Sequence, residues 1–385
     1  MYEVSIDQLT SLAETCEHID DPRTPINILH PVQNIVSIAI AAILAGAAGP
    51  KSIARWAQTK RDWLATWLDL PAGKVPSRDC FRTFFGRVNP ALFQACFVGW
   101  IQSLSDLGLV QDKGLTIAID GKTLRHSYDT AKEQKPLHLV SAWVAEHHLC
   151  LGQVATEEKS NEITAIPELL EQIDIQGAIV TIDAMGCQKK IVSQISDQKG
   201  DFVIAVKGNQ PTLFKAIQSF FDSHWENNDW SKGACHRHHT CELDGNSQVD
   251  RYYYVARVPR RETVFQDWPT VEAIGMAISV RQTGDEITEE IRYYILSDYL
   301  SGQAFAQAAR QHWSIENNCH WQLDVLFGED ASRVRERTLA NNLSWLRRVA
   351  ISLLKRHQIK DSLKGKREIA GWSEVFLAEV LQIKG

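Results

Sequence analysis

Two short apolar runs that each end in an aspartate constrain this chain more than any other feature. Ile117-Ala118-Ile119-Asp120-Gly121 and Ile179-Val180-Thr181-Ile182-Asp183-Ala184 share one grammar: a strand-like run, an acid, then a small residue. A carboxylate delivered at the mouth of a strand is fixed by the sheet yet open to solvent on one side, which suits a divalent-cation site. Taken singly, each run is also an ordinary strand-to-turn signal, because Asp and Gly serve turns for backbone reasons alone.

A third acid gives the pair its meaning. In His312-Trp313-Ser314-Ile315-Glu316-Asn317-Asn318-Cys319-His320-Trp321-Gln322-Leu323-Asp324-Val325, a helix places Glu316, His320 and Asp324 at successive i+4 steps along one polar stripe. Phosphodiester cleavage and transfer need an activated water or 3′-hydroxyl, an in-line leaving oxygen and compensation for charge on the phosphoryl oxygens. Two cations bound side by side supply all three, and three or four carboxylates are the natural cradle for them.

The texture of the chain changes around Leu115. Up to about Gln111 it reads as helical, with patterns at Ile35–Ala48, Ile53–Leu68 and Ala91–Leu107 and breakers at Gly49-Pro50, Pro71-Ala72-Gly73 and Asn89-Pro90. Beyond it, strands are expected at Leu115–Ile119, Leu137–Val144, Cys150–Ala155, Ala178–Ile182 and Phe202–Val206. Helices are expected at Ile163–Gln172 and Lys189–Gln198. Three consecutive strands followed by alternating helices and strands describe an α/β core with a mixed sheet. Strand-like runs at Arg251–Val258, Ala273–Arg281 and Ile287–Leu296 read as an insertion, and helix returns from Ser301 to about Asp324.

Composition excludes several classes. With 44% apolar residues and twelve tryptophans, the 385-residue chain has a sizeable core and is neither disordered nor fibrous. The apolar run Ile35–Ala48 is shorter than the ~20 residues a membrane span requires, so it reads as a buried helix. The start, with Glu3 and Asp7 and no basic segment, is unlike a signal peptide. Eight scattered cysteines fit reduced thiols and a cytoplasmic protein. Cys235-His236-Arg237-His238-His239-Thr240-Cys241 offers zinc-compatible side chains without the paired C-x₂-C spacing of structural sites, and reads as a polar loop. No G-x-G-x-x-G follows the first strand, which sets aside a dinucleotide-binding protein.

A net charge of −6 is awkward for a DNA partner, since phosphate contact is driven by Lys and Arg. Distribution answers part of the difficulty. Between Ala331 and Arg367 there are eleven Lys or Arg against only Glu336 and Asp361, which is either a solvated helix face or a DNA-backbone surface.

These motifs together resemble the ISAs1-type insertion-sequence transposases, including the H-repeat-associated proteins, within the DDE superfamily. The resemblance rests on Asp21-Pro22-Arg23 and the following Ala-Gly-rich helix, on Ile119-Asp120-Gly121-Lys122-Thr123-Leu124-Arg125, and on Glu158-Lys159-Ser160-Asn161-Glu162-Ile163-Thr164-Ala165-Ile166-Pro167. It continues through Thr181-Ile182-Asp183-Ala184-Met185-Gly186-Cys187-Gln188-Lys189, Val206-Lys207-Gly208-Asn209-Gln210 and the helix from His312 to Val325. By that resemblance Asp120, Asp183 and Glu316 match the catalytic, metal-holding triad, 63 and then 133 residues apart. One departure is Gly245-Asn246-Ser247-Gln248-Val249-Asp250-Arg251, where the family pattern is His-Gly-Arg-x-Glu-x-Arg and only Arg251 matches.

The expected protein is therefore α/β: an RNase H-like mixed-sheet catalytic core over residues 112–385, with a β-rich insertion at about 226–298 and a basic helical tail at about 331–385. A helical domain for end recognition precedes it, over residues 1–111. The resemblance implies a DNA transposase using two Mg²⁺ ions, for which Mn²⁺ can substitute. It acts on double-stranded DNA, at terminal inverted repeats and target, as a homodimer or higher multimer, without a membrane, and nucleoid-associated when bound. Lys122, Arg125, Lys207, Asn209, Arg333, Arg335, Arg337, Arg347 and Arg348 are the expected DNA contacts. For Lys122 and Arg125 the alternative is an ion pair with a carboxylate, and for Lys207 and Asn209 a turn. Asp324 is a candidate fourth ligand, and His320 a packing histidine. The rival functions are a catalytically idle, transposase-derived DNA-binding protein and a Mg²⁺-dependent DNA nuclease.

Overall fold

A computed structural model describes residues 15–16, 19–26, 28–104, 114–156, 162–226 and 235–382. In chain order the elements are α1 (Val32–Leu44), α2 (Pro50–Thr59), α3 (Arg61–Leu64), α4 (Arg78–Phe85), α5 (Pro90–Leu104), β1 (Thr116–Leu124), β2 (Leu137–Val144) and β3 (Leu149–Thr156). Next come α6 (Glu162–Gln172), β4 (Ile179–Ile182), α7 (Lys189–Asp197), β5 (Asp201–Val206) and α8 (Pro211–Glu226). They are followed by β6 (Cys235–Asp244), β7 (Ser247–Arg257), α9 (Thr263–Gln266), β8 (Ala273–Thr283) and β9 (Glu286–Leu296). The chain closes with α10 (Gly302–Ile315), a π-helical turn (Glu316–His320), α11 (Trp321–Val325), α12 (Arg337–Arg356), α13 (Leu363–Trp372) and α14 (Glu374–Leu381). Among the described residues no helix is long and apolar enough to cross a membrane.

The strand order is β3-β2-β1-β4-β5-β9-β8-β7-β6. β2 and β3 pair antiparallel, while β4 runs parallel to β1 and β5 parallel to β4. Those five strands, with α6 and α7 as the crossovers, form the expected RNase H-like mixed sheet. The expected insertion lies on the same sheet, because β9 pairs antiparallel with β5 and β8, β7 and β6 follow it outward.

Two units divide the chain, and β1 changes unit between Asp120 and Gly121. Unit 1 takes residues 1–111, 121–161 and 316–385, and unit 2 takes 112–120 and 162–315. The expected domain boundary at 111/112, the Glu158–Asn161 stretch of the family motif and the segment 227–234 joining α8 to β6 lie outside the described residues.

Unit 1 is organised around α12. Residues 339–354 of this helix are buried on every side, against α1, α4, α5, β2, β3, α13 and α14. Its start is set by Glu336, whose carboxylate accepts from the Thr338 and Leu339 N–H groups at 3.0 and 2.6 Å. A negative charge there also meets the positive end of the helix dipole. The expectation of a basic tail presenting its charges to DNA is thus corrected for α12. Arg347 and Arg348 are buried, and both face the fully buried Glu329, at 3.5 and 3.6 Å. A run of positive charge in a sequence carries no information about burial, and here one internal carboxylate takes both guanidinium groups inward.

In unit 2, α10 lies across the sheet and seals a core of Val203, Tyr253, Val255, Tyr294 and Leu296 with Phe305. The Phe305 ring stands edge-on to Tyr253 and Tyr294, at 5.8 and 5.2 Å between centroids. The chain entering α10 also covers the edge strand β6: His236 Nδ1 is 2.7 Å from Leu300 O. Gly302 packs so closely there that a Cβ would stand 2.6 Å from the Arg237 carbonyl carbon. Only glycine permits that approach, and it blunts an edge that would otherwise be open to pairing. Cys235–Cys241, expected as a polar loop, is part of this strand. The pairing of β6 with β7 imposes extended structure on a segment whose two faces are both polar.

Candidate active site

On one side of unit 2 the parallel strands β4 and β5 end while β1 runs on past it, and each of the three brings a polar residue there. The last paired rung of β1 and β4 is Ile119↔Ile182. Asp120 is the next residue of β1, which continues to Leu124, and Asp183 is the first residue past β4; neighbouring strands lie about 4.8 Å apart. Ile204 is the partner of Ile182 on β5, and Lys207 follows the end of that strand, exposed. In open α/β sheets the carboxyl ends of parallel strands are where ligands are held, because the loops diverge there and leave a crevice.

The turn after Asp183 is held from several directions. Asp183 Oδ1 accepts from the Met185 N–H at 2.9 Å, capping the single turn Ala184–Gly186. Gly186 lies against Ile182, whose Cγ2 would be only 2.3 Å from a Cβ at that position. Asn209 Nδ2 donates to Ala184 O at 2.6 Å, and Gln210 Nε2 donates to Cys187 O at 2.9 Å. Two side-chain amides from the Lys207–Gln210 segment therefore clamp the two ends of the turn. Asn209, expected either to contact a DNA phosphate or to form a turn, holds the turn through its Nδ2, and its side chain is exposed.

His312, near the end of α10, faces this pair of acids. Its Nδ1 is 3.2 Å from Thr181 Oγ1. Burial holds its pKa below the usual histidine value, while the charges of Asp120 and Asp183 both pull the other way. One imidazole thus senses both carboxylates, and it is neutral at physiological pH. Neither His312 nor Thr181 is singled out by the sequence for this role, since nothing local marks a histidine that meets two distant strands.

Glu316 stands four residues after His312, at the point where α10 passes into the π-helical turn, and it is exposed. It belongs to unit 1, so unit 2 by itself brings together two of the three expected acids. Among the described residues no group of three or more His, Cys, Asp or Glu stands close enough to hold a metal ion. The π turn also revises the polar stripe of Glu316, His320 and Asp324, because an extra residue in one turn rotates every later side chain to a different face; such turns are frequent at functional sites.

Within unit 1, Lys122 is buried and gives both oxygens of Asp324 a contact, at 2.6 and 2.7 Å, with Asp330 at 3.5 Å. This corrects two expectations at once: Lys122 is an internal ion-pair partner rather than a DNA-facing cation, and the Asp324 carboxylate is satisfied by it rather than by a metal. Arg125 is 78% exposed and 3.2 Å from Asp330. Arg333 and Arg335 are exposed, Arg335 within 3.5 Å of Asp129, and Arg337 donates to Lys135 O at 2.6 Å.

Comparison with known proteins supplies the class. Residues 111–354 match the family described as "Transposase DDE domain", and residues 13–101 match the region described as "DDE_Tnp_1-associated". The chain belongs to the DDE transposase family. Among its relatives, the "H repeat-associated putative transposase YhhI" of Escherichia coli (strain K12) is 37% identical over 384 residues, covering 98% of this chain and 99% of that one. The "Putative transposase YncI" of Escherichia coli O157:H7 is 35% identical over 382 residues, covering 97% and 95%. A solved piggyBac transposase synaptic complex with hairpin DNA overlays 97% of this chain and 77% of that chain at a TM-score of 0.38 and 10% identity, too slight a likeness to bear on function.

Proposed function

We propose that the chain cleaves DNA at insertion-sequence ends and joins those ends to target DNA, with Asp120, Asp183 and Glu316 as the carboxylates of a two-metal centre. The observation that carries this reading is the placement of Asp120 and Asp183 each one residue beyond the paired rung Ile119↔Ile182 of β1 and β4, next to a neutral His312. Their donors are hard oxygens, which fit Mg²⁺ or Mn²⁺ and not a thiolate-seeking metal. When bound, such a metal pair supplies polarisation of the phosphoryl oxygen and an acidified nucleophile at neutral pH.

The chain's own residues supply position. Met185 N–H donates to Asp183 Oδ1 and so restrains the rotation of the carboxylate. His312, uncharged, adds no competing cation beside the two acids. Lys207 lies at the end of the third parallel strand, where a phosphate contact fits its charge. Residues 1–111 serve end recognition in this reading. The protein works as a homodimer or larger multimer, since pairing two DNA ends calls for two active sites.

A plasmid carrying the flanking DNA ends, incubated with the protein and Mg²⁺, tests the reading. Excised and joined product that disappears with a chelator is expected. Cleavage without joining points to a nuclease, and DNA binding without either points to an idle derivative.

Asn209→Ala tests the clamp separately. It removes the donor to Ala184 O and should lower turnover roughly 10–100-fold, the usual cost of losing a group that orients a metal ligand. The Mg²⁺ concentration for half-maximal rate should rise, with DNA affinity unchanged. A variant that loses DNA affinity and keeps its Mg²⁺ requirement would return Asn209 to phosphate contact.

A further inference from the structure

Three segments of unit 1 that are distant in sequence meet at the start of α12, and all three present cations outward. The first is the stretch leading into α12, where Arg333 and Arg335 are exposed. The second is the β1–β2 loop, which carries Arg125, Lys132 and Lys135, all exposed. That loop is pinned to the first segment: Gln134 Nε2 donates to Arg335 O at 2.7 Å, Arg337 Nη2 donates to Lys135 O at 2.6 Å, and Arg335 faces Asp129 at 3.5 Å. His126 also makes a short contact to Asp330 O.

The third segment is the end of α4, with Arg82 and Arg87 exposed on either side of Gly86. A Cβ on Gly86 would be 3.2 Å from Glu336 Oε2, so the helix end lies directly against the cap of α12. Asn342 Nδ2 locks it there by donating to Phe85 O at 2.8 Å and to Val88 O at 3.1 Å. Several of the acids in this region are engaged in holding it: Asp129 caps the Thr130–Lys132 turn, Asp330 faces Lys122 and Arg125, and Glu336 caps α12. Arg82 faces Asp79 at 3.5 Å, an exposed pair that costs little to exchange for a phosphate.

We propose that Arg82, Arg87, Lys132 and Lys135 extend the Arg125–Arg333–Arg335 group into one composite surface that binds the phosphate backbone of duplex DNA without reading sequence. The proposal rests on the reading of the chain as a DNA-acting transposase. It adds to that reading a contribution from the N-terminal helical segment and the β1–β2 loop that does not depend on a separate recognition element. Backbone pinning matters here because a surface held by main-chain hydrogen bonds presents its charges with little ordering cost on binding.

Binding of a labelled duplex of unrelated sequence, followed by anisotropy across a salt series, tests it. Each phosphate contact contributes about 0.9 to the slope of log K against log salt. The pairs R82A/R87A and K132A/K135A should each make the slope shallower by about 1.8, and the four together by about 3.6. Unchanged slopes in variants that melt like the wild type overturn the surface. Should an alanine pair melt early, R82Q/R87Q and K132Q/K135Q, which keep the long stems and remove the charge, decide instead: a slope shallower by about 1.8 supports the surface, and a wild-type slope overturns it. Slopes that change in a protein that never joins DNA would leave the surface standing and remove the strand-transfer reading. Unchanged slopes with normal joining would do the reverse.

Discussion

Asp183→Asn is expected to abolish DNA joining while leaving DNA affinity and thermal stability close to wild type. Asparagine keeps an Oδ1 that accepts the Met185 N–H, so the Ala184–Gly186 turn and the Asn209 clamp have no reason to move. The substitution removes the negative charge and the second anionic oxygen. A metal's contribution to charge stabilisation in phosphoryl transfer is worth several kcal/mol, and about 5 kcal/mol corresponds to a rate loss of roughly 10³–10⁴-fold. Asp120→Asn and Glu316→Gln should fall within the same range. Joining by any of the three at more than a tenth of the wild-type rate, measured on the excision plasmid, would take that residue out of the centre.

Asp120 and Asp183 are readable in the sequence because each is specified locally, by an apolar strand of fixed period followed by small residues. The pairing of their strands is not written in either run; it comes from the parallel register Ile119↔Ile182, which needs the whole sheet. The three-strand start and the later alternation of helix and strand are legible for the same local reason. Other features are hidden because they are decided by tertiary contact. Arg347 and Arg348 look like a DNA-facing pair until Glu329, nearly twenty residues earlier, is seen to lie beneath them. Lys122 follows Asp120-Gly121 in a motif that suggests phosphate contact, and its true partner Asp324 is 202 residues away. The π turn at Glu316–His320 has no signal, since Glu-Asn-Asn-Cys-His is compatible with an ordinary helix. Cys235–Asp244 hides its strand character because an edge strand with two polar faces lacks the alternation that marks a half-buried one.

Glu329→Gln is expected to destabilise unit 1 by about 3–5 kcal/mol, the cost of stripping one partner from a buried ion cluster. Glu329 is fully buried, accepts from Ser344 Oγ at 2.7 Å and faces both Arg347 and Arg348. Arg347 in turn donates to Ala48 O at 2.8 Å, tying α12 to the turn between α1 and α2. Burial alone pushes the Glu329 carboxyl upward, but the two guanidinium groups outweigh it, Arg348 first, and its pKa falls below the ordinary glutamate value. In the unfolded chain the group titrates near its ordinary 4.5. Its stabilisation is therefore complete above that pH and is lost as pH falls through the depressed folded value. Wild-type protein should lose stability below about pH 4.5, and E329Q, with no proton to take up, should lack that part of the acid transition. Denaturant midpoints between neutral pH and pH 3 measure both effects. Replacing the cluster by apolar side chains, as in E329L/R347M/R348M, should recover much of the loss, because desolvating the charges is itself costly. An E329Q protein within about 1 kcal/mol of wild type would show that the two arginines find other compensation, and that α12 is held by its apolar contacts alone.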